Sequence, residues 1–161
     1  MNETAVMTSA QVREIVLGTI HNVDTTNYDN ISYTALVMEI IRKSLERGIN
    51  LTRGFSDWTK LSDQQLKCIK IATDKGLNVK CLLNIDFTED QLNELIHIME
   101  NGINPIAYAE PVYSAECMHE YALAMEHGID VTLALDPRLE LDDLRVVLKA
   151  LMKKQYVSDK D

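Results

Sequence analysis

Between Cys81 and Pro137 the chain has no lysine and no arginine. That gap, with a formal net charge of −9, argues against nonspecific binding to nucleic acid or to an anionic membrane. Cysteine is scarce too. Cys68, Cys81 and Cys117 make an odd set with no C-x-x-C pair, which points to reduced thiols and a cytoplasmic setting rather than to a disulfide framework. No apolar run reaches the roughly 18 residues of a membrane span. The N-terminus lacks the basic-then-apolar order of a signal peptide. Also missing are a glycine-rich phosphate loop, a nucleophile elbow and an H-E-x-x-H pair.

The 6 glycines are few but regularly placed. Gly48-Ile49-Asn50, Gly76-Leu77-Asn78, Gly102-Ile103-Asn104 and Gly128-Ile129-Asp130 repeat one signature at spacings of 28, 26 and 26 residues. A fixed period of this size marks a stacked repeat protein.

Counting each signature glycine as position 0, position −14 holds Thr34, Ser62, Thr88 and Ser114. These are helix N-caps, and Gln65 and Gln91 at −11 close capping boxes. Positions −15 and −10 pair Tyr33 with Met38, Leu61 with Leu66, Phe87 with Leu92 and Tyr113 with Met118, a hydrophobic staple in each copy. Positions −10, −7 and −3 continue as the apolar stripe of a helix. The glycine then takes positive φ, and the Ile or Leu after it completes a Schellman stop.

The same frame fits a first copy stopped by Asn22 and a degenerate last copy ending near Lys154, without a good cap or a stop. After each stop, Asn50, Asn78, Asn104 or Asp130 caps a second, very short helix, α or 3₁₀. The expectation is therefore an all-α fold, an α-solenoid of about six 26-residue helix–turn–short-helix repeats in a single domain over residues 1–161. The repeats run over about 7–32, 33–60, 61–86, 87–112, 113–138 and 139–155, with a tail at 156–161. The 28-residue copy carries two extra residues in a loop holding Phe55 and Trp58. These aromatics either plug a bend in the stack or present Trp58 as an anchor for a partner.

Several of these residues carry a resemblance. Tyr108-Ala109-Glu110-Pro111, Ser114 to Glu120 and Gly128-Ile129-Asp130-Val131-Thr132 resemble a short helical repeat of the form Y-A-D-P-x-F-s-x-x-Q-M-x-E-I-R-x-G-L-E-x-G-L-D-V-S. That repeat is found in proteins of Gram-positive gut anaerobes and their mobile elements. The similarity covers most of residues 60 to 150. The chain departs from it with Cys117 in place of Gln and Tyr121-Ala122 in place of Ile-Arg. The resemblance implies a repeat fold and a mobile-element setting, and it supplies no catalytic residue.

Charge supplies the functional candidates. The base-free stretch holds 11 acids, whereas residues 42 to 80 hold nine bases against four acids. Glu89, Asp90 and Glu116 lie in first helical turns, where the helix dipole favours them. Glu46, Asp74, Glu100 and Glu126 at position −2 lie in last turns, where it does not. Stacking would line them into a ladder, with Glu94 and Glu120 forming a second line. The candidate partner-binding residues are Glu94, Glu100, Glu110, Glu120 and Glu126, with Trp58 as a possible anchor.

His97, His119 and His127 occupy columns that do not converge, so no metal site is expected. No cofactor and no enzymatic activity are expected either. The lead expectation is an interaction protein whose acidic face meets a basic surface on a protein partner. Given the mobile-element setting, its concrete form is an anti-CRISPR-like inhibitor whose carboxylates stand in for phosphates on a nucleic-acid-binding defence enzyme. The alternative is a self-assembling module, a homodimer or filament, that pairs the basic end of one copy with the acidic end of another.

Overall fold

Thr8, Thr34, Ser62, Thr88 and Ser114 each accept the backbone N–H three residues on, at 3.1–3.2 Å. Each bond satisfies one amide that the first helical turn leaves without a partner. In the computed structural model, which describes residues 5–158, five 12-residue helices start on these caps. They are α1 (Ser9–Ile20), α2 (Ala35–Glu46), α3 (Asp63–Asp74), α4 (Glu89–Glu100) and α5 (Ala115–Glu126). A sixth, α6 (Leu141–Ser158), lacks both signals and runs for 18 residues, past the boundary expected at 155. Residues 159–161 of the expected tail lie outside the described residues. The described chain is all-helical, with no β-strand.

The stops are also as the pattern requires. Asn22, Gly48, Gly76, Gly102 and Gly128 take φ of 59, 76, 80, 79 and 74°. At Gly48, Ile49 N–H donates to Ser44 O at 2.9 Å and Gly48 N–H to Leu45 O at 2.8 Å, the paired bonds of a Schellman stop. The other four stops repeat that pair. Two residues on, Asp24, Asn50, Asn78, Asn104 and Asp130 each accept the amide two places ahead, at 3.0–3.2 Å. Short 3₁₀ helices follow at Thr25–Asn27, Val79–Leu82 and Val131–Ala134. After Asn50 and Asn104, where the pattern also calls for a short helix, turns replace it; after Asn104, Tyr108 N–H donates to Pro105 O at 2.9 Å.

The chain divides into two compact units, Met1–Ile85 and Asp86–Asp161, where the sequence reading has one domain. In the first, α1 packs on α2 and α2 on α3. Its core includes Tyr28, Met38, Ile41, Leu51, Ile69 and Leu82. Trp58 belongs to that core: it is 1% exposed, with Phe55 edge-on at 5.2 Å. An anchor must reach solvent, so the structure removes Trp58 from the partner-binding set and leaves it as the plug of the longer connection. In the second unit α4 packs on α5 and α5 on α6, around Leu92, Leu95, Met118, Leu144 and a tyrosine cluster. Tyr121 stacks on Tyr108 at 5.3 Å and meets Tyr113 edge-on at 5.5 Å. Its hydroxyl donates to Ala134 O, and burial raises its pKa to about 12.

The glutamine column does more than close capping boxes. Gln91 Oε1 accepts from Thr88 N–H at 2.9 Å, while its Nε2 donates to Pro111 O and Tyr113 O at 3.0 and 2.6 Å. Gln11 does the same to Ile31 O and Tyr33 O, and Gln65 reaches Ile85 O. Gln11 and Gln91 thus tie their helices to the connection 20 and 22 residues further on, and Gln65 ties its helix to the residue 20 further on.

In α5 the column holds Cys117, and a cavity of about 250 Å³ lies among Cys117, Tyr121, Pro137 and Leu139. Pro137 and Leu139 are again 20 and 22 residues on. Cys117→Gln is therefore expected to stabilise the protein by about 1–2 kcal/mol through two or three new hydrogen bonds. That raises the melting midpoint by about 2–6 °C. A thermal melt showing an unchanged or lower midpoint would refute this role for the column.

Candidate functional site

Acidic residues crowd the first two turns of α4 and α5 because caps and dipoles favour them there. Asp90 and Glu116 stand in the first turns and Glu94 and Glu120 one turn further on. In the second unit these four carboxylates line an open cleft of about 480 Å³, together with Asn93, His119 and Arg145. Asp90 and Glu116 are exposed; Glu94 and Glu120 are half-buried.

The cleft is not purely acidic. His119 Nδ1 lies 2.8 Å from Glu94 Oε1, and Arg145 Nε donates to Glu120 Oε1 at 2.8 Å. Arg145 Nη1 is also 3.6 Å from Asp142. The sequence expectation that no base interleaves with this stretch is thereby corrected, because α6 returns a guanidinium from beyond Pro137. Both pairs are separated by 25 residues, one less than the period. A comparison of column −8 with column −9 of the following copy could have revealed them. Asp136 is neutralised locally. Arg138 donates to it at 2.9 and 2.8 Å, and those bonds bring its pKa down to about 2.

The remaining candidates lie elsewhere. Glu100 and Glu126 are exposed at the C-terminal ends of α4 and α5, and Glu110 is exposed in the connection between them. Columns −8 and −2 are six residues apart, about 9 Å of helical rise and roughly 120° of rotation. The structure thus brings Glu94 and Glu120 together and leaves Glu100, Glu110 and Glu126 outside the cleft.

In the first unit the position −2 acids are not bare rungs of a ladder. Glu46 is bonded by His21 at 2.5 Å and by Arg42. Asp74 is bonded by Lys43 at 2.6 Å and Lys70 at 2.5 Å. Burial pushes both carboxyls up, but the bonds from these side chains outweigh it and hold both below the usual range. Glu39 joins Lys43 at 2.6 Å and Lys70 at 3.4 Å. Arg47 donates to Thr73 O at 2.5 Å. Much of the positive charge in residues 42–80 is consumed inside the unit.

Among the described residues, no group of three or more His, Cys, Asp or Glu side chains is placed to hold a metal ion. No helix there is long and apolar enough to cross a membrane. No family model matches this chain, and neither does any curated protein or solved structure.

Proposed function

We propose that this is a non-enzymatic interaction protein, an α-solenoid of about six 26-residue repeats, whose second unit docks on a basic surface of a protein partner. The observation that carries the reading is the open cleft of about 480 Å³ in which Asp90 and Glu116 are exposed, beside Glu94 and Glu120 held by His119 and Arg145. The exposed Glu100, Glu110 and Glu126 add to it on the same unit. Exposed carboxylates at fixed spacing on neighbouring helices suit guanidinium and ammonium groups and steer a basic partner from a distance. In its concrete form the partner is a nucleic-acid-binding effector, and the carboxylates occupy the place of phosphates, as in an anti-CRISPR-like inhibitor. That form draws on the repeat's resemblance to mobile-element proteins.

The test is affinity capture from a host lysate, compared between wild type and the double charge reversal Asp90→Lys, Glu116→Lys, at the two exposed carboxylates of the cleft. Wild type is expected to retain a basic, nucleic-acid-binding protein that salt releases. The double variant, with its helical circular dichroism unchanged, is expected to bind that protein at least about tenfold more weakly and with less salt dependence. Equal retention by wild type and variant would remove the acidic surface from the function.

A further inference from the structure

In α1, α3 and α4 the glutamine column holds one carboxamide in one way. Its oxygen accepts the N-cap N–H, from Thr8 at 2.7 Å, Ser62 at 2.8 Å and Thr88 at 2.9 Å. Its nitrogen donates to carbonyls of the connection that follows: Ile31 and Tyr33 at 3.2 and 2.6 Å, Ile85 at 2.9 Å, and Pro111 and Tyr113 at 3.0 and 2.6 Å. All three glutamines are buried. Backbone alone thus builds a seat for a primary amide, with a donor for its oxygen and acceptors for its N–H groups.

Helix α5 builds the same seat without the amide. Ser114 has φ −66° and ψ 159°, the N-cap backbone of Thr8 at −69° and 158° and of Ser62 at −69° and 159°. The connection after α5 also makes the same turn. Leu139 N–H donates to Asp136 O at 3.1 Å, as Tyr33 N–H does to Asn30 O at 2.9 Å and Tyr113 N–H to Glu110 O at 3.1 Å. Each of these donors stands 22 residues after its column residue, Cys117, Gln11 or Gln91. Pro137 O and Leu139 O therefore stand for α5 where Pro111 O and Tyr113 O stand for α4. Among the described residues, neither carbonyl has a protein hydrogen-bond partner, and nor does Ser114 N–H. The Cys117 side chain ends at Sγ, in the place of the glutamine Cγ, so the atoms missing beyond it are those of the carboxamide. The cavity of about 250 Å³ is lined by all four of these residues, Ser114, Cys117, Pro137 and Leu139, and by the exposed Glu116 and Glu140. Helix α2 is the contrast. Its column holds Val37, which is 2% exposed, so packing replaces the amide there.

We infer that this cavity binds a primary carboxamide supplied from outside the chain, in the place that Gln11, Gln65 and Gln91 fill for themselves. The ligand oxygen accepts Ser114 N–H, and its two N–H groups donate to Pro137 O and Leu139 O. Glu116 and Glu140 add attraction for a cation beside the amide. This chemistry has two sources: a free small amide, or a glutamine side chain next to a lysine or arginine on another protein. The inference does not depend on the acidic cleft being a docking surface, although Glu116 lines both.

Titration of the isotope-labelled full chain with acetamide, followed by nuclear magnetic resonance at the Ser114 N–H, tests it. In wild type that resonance is expected to move downfield and to saturate at millimolar acetamide, as suits so small a ligand. Acetone has the same shape and no N–H, and is expected to bind at least about tenfold more weakly. Cys117→Gln fills the seat with its own amide. Its Ser114 N–H is expected to lie downfield without ligand and to show no further saturating shift. Two peptides separate the sources, Lys-Gln-Lys and Lys-Met-Lys, each acetylated and ending in a methylamide. Binding of Lys-Gln-Lys at least about tenfold tighter than acetamide, with Lys-Met-Lys inert, supports the site and assigns it to a protein side chain. Acetamide binding that Lys-Gln-Lys does not improve supports the site and assigns it to a free amide. A Ser114 resonance that neither acetamide nor Lys-Gln-Lys moves overturns the inference. So does acetone that binds as well as acetamide, and so does Cys117→Gln that binds acetamide as wild type does.

Discussion

Arg42→Ala is expected to destabilise the first unit by about 3–5 kcal/mol, the cost of leaving a buried ion pair with one partner. Arg42 is 5% exposed and Glu14 8%. The guanidinium donates through Nε to Glu14 Oε2 at 2.8 Å and through Nη1 to Glu46. Without it, Glu14 is a carboxylate shut away from water with its charge unmatched. Lysine is not a substitute, because one ammonium cannot reproduce a fork that serves two carboxylates from two helices. Arg42→Lys should therefore cost most of the same amount. Arg42→Met combined with Glu14→Leu should recover much of it, since apolar side chains of similar size need no partner. Urea unfolding followed by circular dichroism reads all three. A cost below about 1 kcal/mol for Arg42→Ala would mean that the pair is solvated rather than structural.

Gly18→Ala is the second substitution with a large expected effect, and its sign opposes helix propensity. Alanine in the middle of a helix normally gains about 0.5–1 kcal/mol over glycine. A Cβ at Gly18 would lie 1.8 Å from Tyr28 Oη and 3.0 Å from Thr25 Cγ2. Tyr28 is fully buried, and its hydroxyl donates to Glu14 O at 3.1 Å. Burial raises its pKa to about 12, so it stays a neutral donor. The ring cannot retreat without breaking that bond and the packing around it. A loss of about 1–3 kcal/mol, at the upper end of that range, is expected by urea melt. Adding Tyr28→Phe removes the clashing oxygen and should return part of the loss. The return is only partial, because the ring carbon behind the oxygen would still lie 3.1 Å from the Cβ. If Gly18→Ala alone leaves stability equal or higher, the close approach does not govern this position.

These two residues mark where sequence reasoning stops. The glycine signature was legible because it repeats and because each stop depends on bonds within a few residues. Gly18 belongs to no signature. Its reason lies in Tyr28, which arrives only after the chain has turned. Arg42 reads as one of nine bases in a basic stretch, yet it is the buried centre of an ion network. Trp58 shows the same limit. Its loop was visible as an insertion, but whether the indole faced water depended on what the connection packed against.

The candidate site divides in the same way. Glu94 and Glu120 were visible as a column, and the structure places them in one cleft. Glu100 and Glu126 were visible as another column and lie outside it. Arg145 and His119 were missed as partners, because a charge run was read along the chain and not against the following copy. Cys117 was visible as a departure from the repeat, and the cavity beside it shows what the missing glutamine would have filled.

The sequence by itself determined the helices, their caps and their stops. Those follow from interactions that close within one turn, from Thr8 to Gln11 or from Ser44 to Ile49, and local chemistry suffices to place them. Tertiary structure alone decided which carboxylates stay open, which bases are consumed, and where a cavity replaces a side chain. Each of those outcomes rests on side chains about one repeat apart, where a shift of a single position changes the partner.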